Sequence, residues 1–184
     1  MKSRRNDWIP WITGAALATL FFLKPKKSSA TTAPAPTVTL TEDLIKQFAD
    51  TTIPRGLRNN NPGNIILTII PWKGKVANEI NTDGHFEQFT KLVYGTRALL
   101  SLLASYIRGG TDTPRTILAK YAPATENNTA AYIQIVSNTT GFGADQKLTT
   151  DKSTLLKLAK AISIVENGRD VLTSDHLESA WSLL

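Results

Sequence analysis

Cysteine is absent from this chain. Disulfide bonds, thiolate nucleophiles and cysteine-based metal sites are therefore excluded. Histidine occurs only as His85 and His176, too far apart in sequence for metal-ligand spacing, so neither a zinc-hydrolase centre nor any other metal is expected. Excess charge is missing from most of the chain as well. The first 27 residues hold six of the 21 basic residues and one of the 15 acidic ones, which leaves the remainder within one charge of neutral. The overall charge of +6 thus belongs to the N-terminal tail, and nucleic acid is not expected as the main partner. Repeats of 20–50 residues are also lacking, and the apolar stripes read as core with no cofactor required.

One long uncharged run is present. Trp8 to Leu23 reads WIPWITGAALATLFFL, flanked by Lys2, Arg4 and Arg5 on one side and by Lys24, Lys26 and Lys27 on the other. As a helix it would span about 24 Å, slightly short of a hydrocarbon core of roughly 30 Å. Snorkelling basic residues and interfacial Trp8 and Trp11 make up the difference. A cleaved signal peptide is the competing reading, but Lys24-Pro25-Lys26-Lys27 follows the run directly and disfavours cleavage there. Residues 1–27 are thus expected to be a membrane anchor, with a single transmembrane helix at about 8–23 and the lipid bilayer as its partner. Residues 28–40, rich in Ser, Thr, Ala and Pro, read as an extended tether. Residues 41–184 form the folded domain.

That domain is mainly helical in pattern. Thr41-Glu42-Asp43 opens a helix carrying Leu44, Ile45 and Phe48. Leu92 to Ile107 is the clearest helix, stopped by Gly109-Gly110. Thr113-Pro114 starts another, and one more runs from about Thr129 to Gly141. Asp151 or Thr150 caps a helix that Gly168 ends, and Ser174 opens the last. Between the first helices, the β-branched run Ile65 to Ile70 predicts a short strand, with a second near Val76 and Phe86 and Phe89 closing the element. The expected class is α+β, mostly α, with a small β element.

Ahead of that strand stands Arg55-Gly56-Leu57-Arg58-Asn59-Asn60-Asn61-Pro62-Gly63-Asn64-Ile65. Asn competes for backbone hydrogen bonds, Pro lacks an N–H and Gly permits positive φ, so the segment predicts a tight amide-lined turn. Amides suit a polar, uncharged ligand such as a sugar or a peptide bond; an ordinary Asn-rich loop is the plainer reading.

The Asn59–Ile65 turn, Trp72-x-Gly74, Asp83-x-x-Phe86-x-x-Phe89 and Gly95-x-Arg97-Ala98-Leu99, in that order, resemble a set of phage virion-associated peptidoglycan-degrading proteins. Tyr106, Thr113 and Ala122-Pro123-x-x-Glu126-Asn127-x-Thr129-x-x-Tyr132 continue the resemblance, which spans roughly residues 55–136. That family is lytic transglycosylase-like, of lysozyme-like fold, and looks related to the muralytic enzyme of enveloped RNA phages. More distantly the order is similar to that of bacterial glucosaminidases. The resemblance implies a lysozyme-like domain acting on peptidoglycan, carried in a virion beside other virion proteins. Its membrane tether would hold the domain as it reaches the periplasm during entry. Glycan-strand cleavage is the activity implied first. A peptidoglycan endopeptidase, a non-enzymatic structural or wall-binding virion protein, and a cellular wall-remodelling protein are the alternatives.

Cleavage of a glycosidic bond needs a protonated carboxyl as general acid, and hydrolases add a second carboxylate about 5–9.5 Å away. Lytic transglycosylases of the lysozyme-like fold manage with one Glu, the substrate's own 6-hydroxyl being the attacking group. Glu126, entering a helix with Tyr121 and Tyr132 nearby to bind or desolvate, is the first candidate; its alternative is a carboxylate favoured at a helix N-terminus. Asp83 is the second, its alternative an Asp-Gly turn; Glu79 and Glu87 lie close by in sequence. In related lysozyme-like enzymes the catalytic Glu ends a helix just before the turn, but Glu42, Asp43 and Asp50 here stand in no such motif. Asn60, Asn61 and Asn64 are expected to contact ligand or to structure the turn. Arg58 is expected to hold the turn or to pair with a peptide-stem carboxylate, and Arg97 to form a salt bridge on its helix.

Overall fold

In the computed structural model of the chain, residues 40–123 and 128–184 are described. The anchor expected at residues 1–27, nearly all of the tether and the candidate acid Glu126 lie outside them. Among the described residues the order is α1 (Glu42–Ala49), α2 (Arg55–Arg58), a 3-10 turn (Asn78–Ile80), α3 (Leu92–Arg108), α4 (Pro114–Tyr121), α5 (Thr129–Thr140), α6 (Lys152–Asn167) and α7 (Ser174–Trp181). None of these helices is long and apolar enough to cross a membrane.

Helix ends follow the sequence chemistry. Thr41, Thr113, Asn128, Asp151 and Thr173 each accept a backbone N–H from the first turn that follows, a contribution of about 1 kcal/mol apiece. Pro114 takes the first position of α4, where its missing N–H costs nothing. Gly141 and Gly168 close α5 and α6 in the left-handed conformation. The core is built on α3, whose Leu99, Leu100 and Leu103 are fully buried, and on Leu155, Leu158 and Ile162 of α6. α3 packs against α6 and α7, α5 against α6, and α4 against α5.

The expected strands shrink to two isolated antiparallel bridges, Ile66 with Phe86 and Lys75 with Phe89. The reason is competition for donors. The N–H of Ile65 goes to the Asn61 side-chain oxygen at 2.9 Å, that of Thr68 to Glu87 Oε1 at 2.9 Å, and that of Ile70 to Thr68 Oγ1 at 3.1 Å. Side chains thus take N–H groups that a longer ladder would use. The domain is mostly α with almost no strand.

The one-turn α2 falls within the stretch expected to be turn throughout. Its C-terminal carbonyls, which a helix leaves unpaired, are satisfied from outside. Gln47 of α1 donates to Leu57 O at 3.3 Å and to Arg58 O at 2.9 Å, and Asn61 N donates to Gly56 O at 2.7 Å. The turn after it rests on α3 at Gly95, where a Cβ would stand 1.8 Å from the Asn60 carbonyl oxygen. Close backbone approach explains a glycine in a helix interior. Arg97 makes no salt bridge among the described residues; its Nε donates to Leu183 O at 2.8 Å, tying the C-terminus to α3.

Candidate active site

Asn60 and Asn64 adopt positive φ, 53° and 47°, a region Asn tolerates better than other side-chain-bearing residues. The sharp reversal divides the asparagines between two tasks. Asn59, Asn60 and Asn61 face inward and are buried. Asn61 Nδ2 donates to Ile65 O at 2.9 Å and to Glu87 O at 3.0 Å, while Asn60 Nδ2 donates to Phe89 O at 2.9 Å and its oxygen accepts from Gln47 at 3.1 Å. Asn59 donates to Asp83 Oδ2 at 2.8 Å and accepts from Gln88 at 3.0 Å. Of the two expected roles, Asn60 and Asn61 therefore fill the structural one: their amides staple the bridged segments and are not presented to a ligand.

Asp83 belongs to this stapled region. Arg55 Nε and Nη2 each donate to it at 2.7 Å in a two-pronged pair, and the Phe86 N–H donates at 2.9 Å. Burial by itself would raise this carboxyl, but the hydrogen bonds from Arg55, Asn59 and Phe86 outweigh it and bring it down to about 2. Such a group is an anchor held as the anion, the opposite of what a proton donor needs. Glu87 is wholly buried and pairs with Lys75, Nζ to Oε2 2.8 Å, while Thr68 donates to its other oxygen. Arg58 ends α2 partly exposed, and its charge adds to the Thr52 hydrogen bonds that lower Asp50.

Asn64 faces the other way, toward the end of α6. Its Nδ2 donates to Glu166 Oε2 at 2.9 Å, and the Tyr132 hydroxyl of α5 donates to Glu166 Oε1, also at 2.9 Å. Tyr121 of α4 is buried beside them, its hydroxyl donating to Gly63 O. A Cβ at Gly63 would lie 2.6 Å from that hydroxyl, so the glycine makes room for it. No basic side chain pairs with Glu166 among the described residues. Burial raises the Glu166 carboxyl above its ordinary value of 4.5, against the hydrogen bonds from Asn64 and Tyr132, which lower it. Its place in the last turn of α6 adds the negative end of the helix dipole, which also favours the neutral form. Burial, then the nearby Glu166 charge, pushes both tyrosines well above 10, so they stay neutral donors.

Three expected site residues, Asn64, Tyr121 and Tyr132, thus meet, and they meet around a carboxyl that the motifs did not single out. The sequence did carry a signal for Glu166. An acidic residue in the last turn of a helix opposes the dipole there, and Glu166-Asn167-Gly168 stands where the cap glycine ends α6. Asn167 supports the arrangement, donating to Pro62 O and Ser163 O at 2.8 Å each. Each Glu166 oxygen receives one protein donor, while a carboxylate offers about four lone-pair sites in all. A proton can therefore ride on the carboxyl without displacing Asn64 or Tyr132. No group of His, Asp and Glu among the described residues is arranged to hold a metal ion.

No protein-family model matches the chain. Over 131 residues it is 36% identical to protein P5 of Pseudoalteromonas phage PM2, a match covering 69% of this chain and 79% of that protein.

Proposed function

The chain belongs to the family of protein P5 of Pseudoalteromonas phage PM2, and from that premise we propose that it is a virion protein that opens host peptidoglycan locally during entry by cleaving glycan strands. The observation that carries this reading is Glu166, a carboxyl raised by burial, with no cation beside it among the described residues and with two neutral donors fixing its oxygens. A general acid for glycosidic oxygen has these properties. The motif order of the Asn turn, the Asp83–Phe89 segment and the Tyr132 helix adds the resemblance to lytic transglycosylase-like domains of lysozyme-like fold. The uncharged run Trp8 to Leu23 would keep the domain at a membrane, confining cleavage to a small area and raising the effective concentration of wall.

In the proposed reaction Glu166 gives its proton to the glycosidic oxygen as the C1–O bond breaks. The sugar's own 6-hydroxyl forms the new bond to C1, and its proton passes to the Glu166 carboxylate. The acid is restored, no water is consumed and the product is a 1,6-anhydro sugar. One carboxyl serves both proton transfers, and no other carboxylate among the described residues acts on the ionisation of Glu166.

The test is digestion of purified peptidoglycan by the full-length protein in detergent, with mass analysis of the released fragments. Anhydro-muropeptides are expected. Glu166→Gln should cut their release by about 10²-fold or more, the usual scale for losing an acid–base group. Reducing sugars would point to hydrolysis, free amines to peptide cleavage, and no release at all to a wall-binding role.

A further inference from the structure

Glu166 is held from two elements that are far apart in sequence. Asn64 reaches Oε2 from the Asn turn and Tyr132 reaches Oε1 from α5, both at 2.9 Å. Both side chains are placed by their surroundings. Asn64 sits at φ 47° in the turn that packs over Gly95 of α3 and, at Gly63, against the Tyr121 hydroxyl, and the Tyr132 ring is buried. The carboxyl itself is fixed at its backbone end, where Asn167 bridges α6 to Pro62. We propose that Asn64 and Tyr132 are positioning residues, each fixing one oxygen of the Glu166 carboxyl, so that together they aim its proton and set the pH at which it is given up. This inference rests on the reading of Glu166 as the acid.

The physical basis is the direction of the two hydrogen bonds. Both are donated to the carboxylate, so both favour the charged form and hold the carboxyl below the value burial alone would give it. Removing either donor must push the carboxyl up. Few other groups compete. From α4 comes Tyr121, from α5 Tyr132, and from α3 Tyr106, which acts on Tyr121. Among the described residues, no ionisable group of α2 or α7 acts on Glu166. Tyr106 provides a control, because its hydroxyl is buried without a hydrogen-bond partner among the described residues.

The experiment is a carboxyl-carbon NMR titration of Glu166 in the full-length protein in detergent micelles, for the parent, Tyr132→Phe, Asn64→Gly and Tyr106→Phe. Phe keeps the buried ring, and Gly accepts the positive φ of position 64 without strain. Glu166 should titrate roughly half a unit to one unit higher in Tyr132→Phe and in Asn64→Gly, and at the parent value in Tyr106→Phe. The alkaline limb of muropeptide release should move up by the same interval, while the plateau rate falls about tenfold for want of aim. Glu166 titrating at the parent pH in either folded variant overturns the role of that residue. A parent protein that releases nothing overturns the proposed function instead, and the titration still decides the positioning.

Discussion

The two sides of the Asn turn treat carboxylates in opposite ways. On the bridged side, Asp83 lies in the grip of Arg55 and Asn59, and Glu87 is buried against Lys75. On the helical side, Glu166 meets only neutral donors among the described residues, Asn64 and Tyr132. Buried carboxylates are stable as anions when a cation and hydrogen bonds compensate the lost water. Without the cation, the neutral form gains. The paired side therefore builds the turn, and the unpaired side is where we propose the proton donor lies.

Breaking the paired side should have the larger effect on stability. Asp83→Asn removes an anion whose side chain is only 3% exposed and leaves Arg55 without its partner. A loss of about 2–4 kcal/mol is expected in chemical denaturation. The pH dependence follows from the sign of the shift. Asp83 is lowered from 3.8 to about 2, so its stabilisation is present above 3.8 and is lost as the pH falls from there toward 2. Unfolding measured across that window should steepen for the parent and flatten for Asp83→Asn. An unchanged acid limb would remove the ion pair from the account.

Neutralising the unpaired side should have a smaller effect of opposite sign. Glu166 is raised in the fold, so its contribution is most favourable below 4.5 and is lost as the pH climbs through its raised value. Glu166→Gln keeps the shape without the charge. Asn64 Oδ1, buried and unpartnered among the described residues, can accept from the new amide after a flip of the Asn64 side chain. At pH 7 the variant should gain about 0.5–2 kcal/mol, the range of single stabilising substitutions that trade away a functional group, and the gain should vanish near pH 4. Equal or lower stability at pH 7 would mean that the carboxylate is satisfied after all.

Helix boundaries were legible because their signals are local. Thr41, Thr113-Pro114, Asp151, Gly141 and Gly168 act where they stand. The strands were misjudged because β-branched runs promise a ladder only while their N–H groups are free, and here Asn61, Glu87 and Thr68 claim them. Asn64, Tyr121 and Tyr132 each stood out in the sequence, and the fold brings them together. Their meeting point was not, since Glu166 lies 102 residues beyond Asn64 in sequence and shows itself only as a charge on the wrong end of a helix. Asp83 drew attention through its turn motif, yet nothing local reveals that Arg55, 28 residues earlier, holds it as an anion.

The most direct test is to titrate both carboxyls in one folded, full-length protein by carboxyl-carbon NMR. Glu166 should titrate above 4.5 and Asp83 near 2. Glu166 titrating at or below 4.5 would contradict the central claim, because a carboxyl already ionised there has no proton reserved for a glycosidic oxygen.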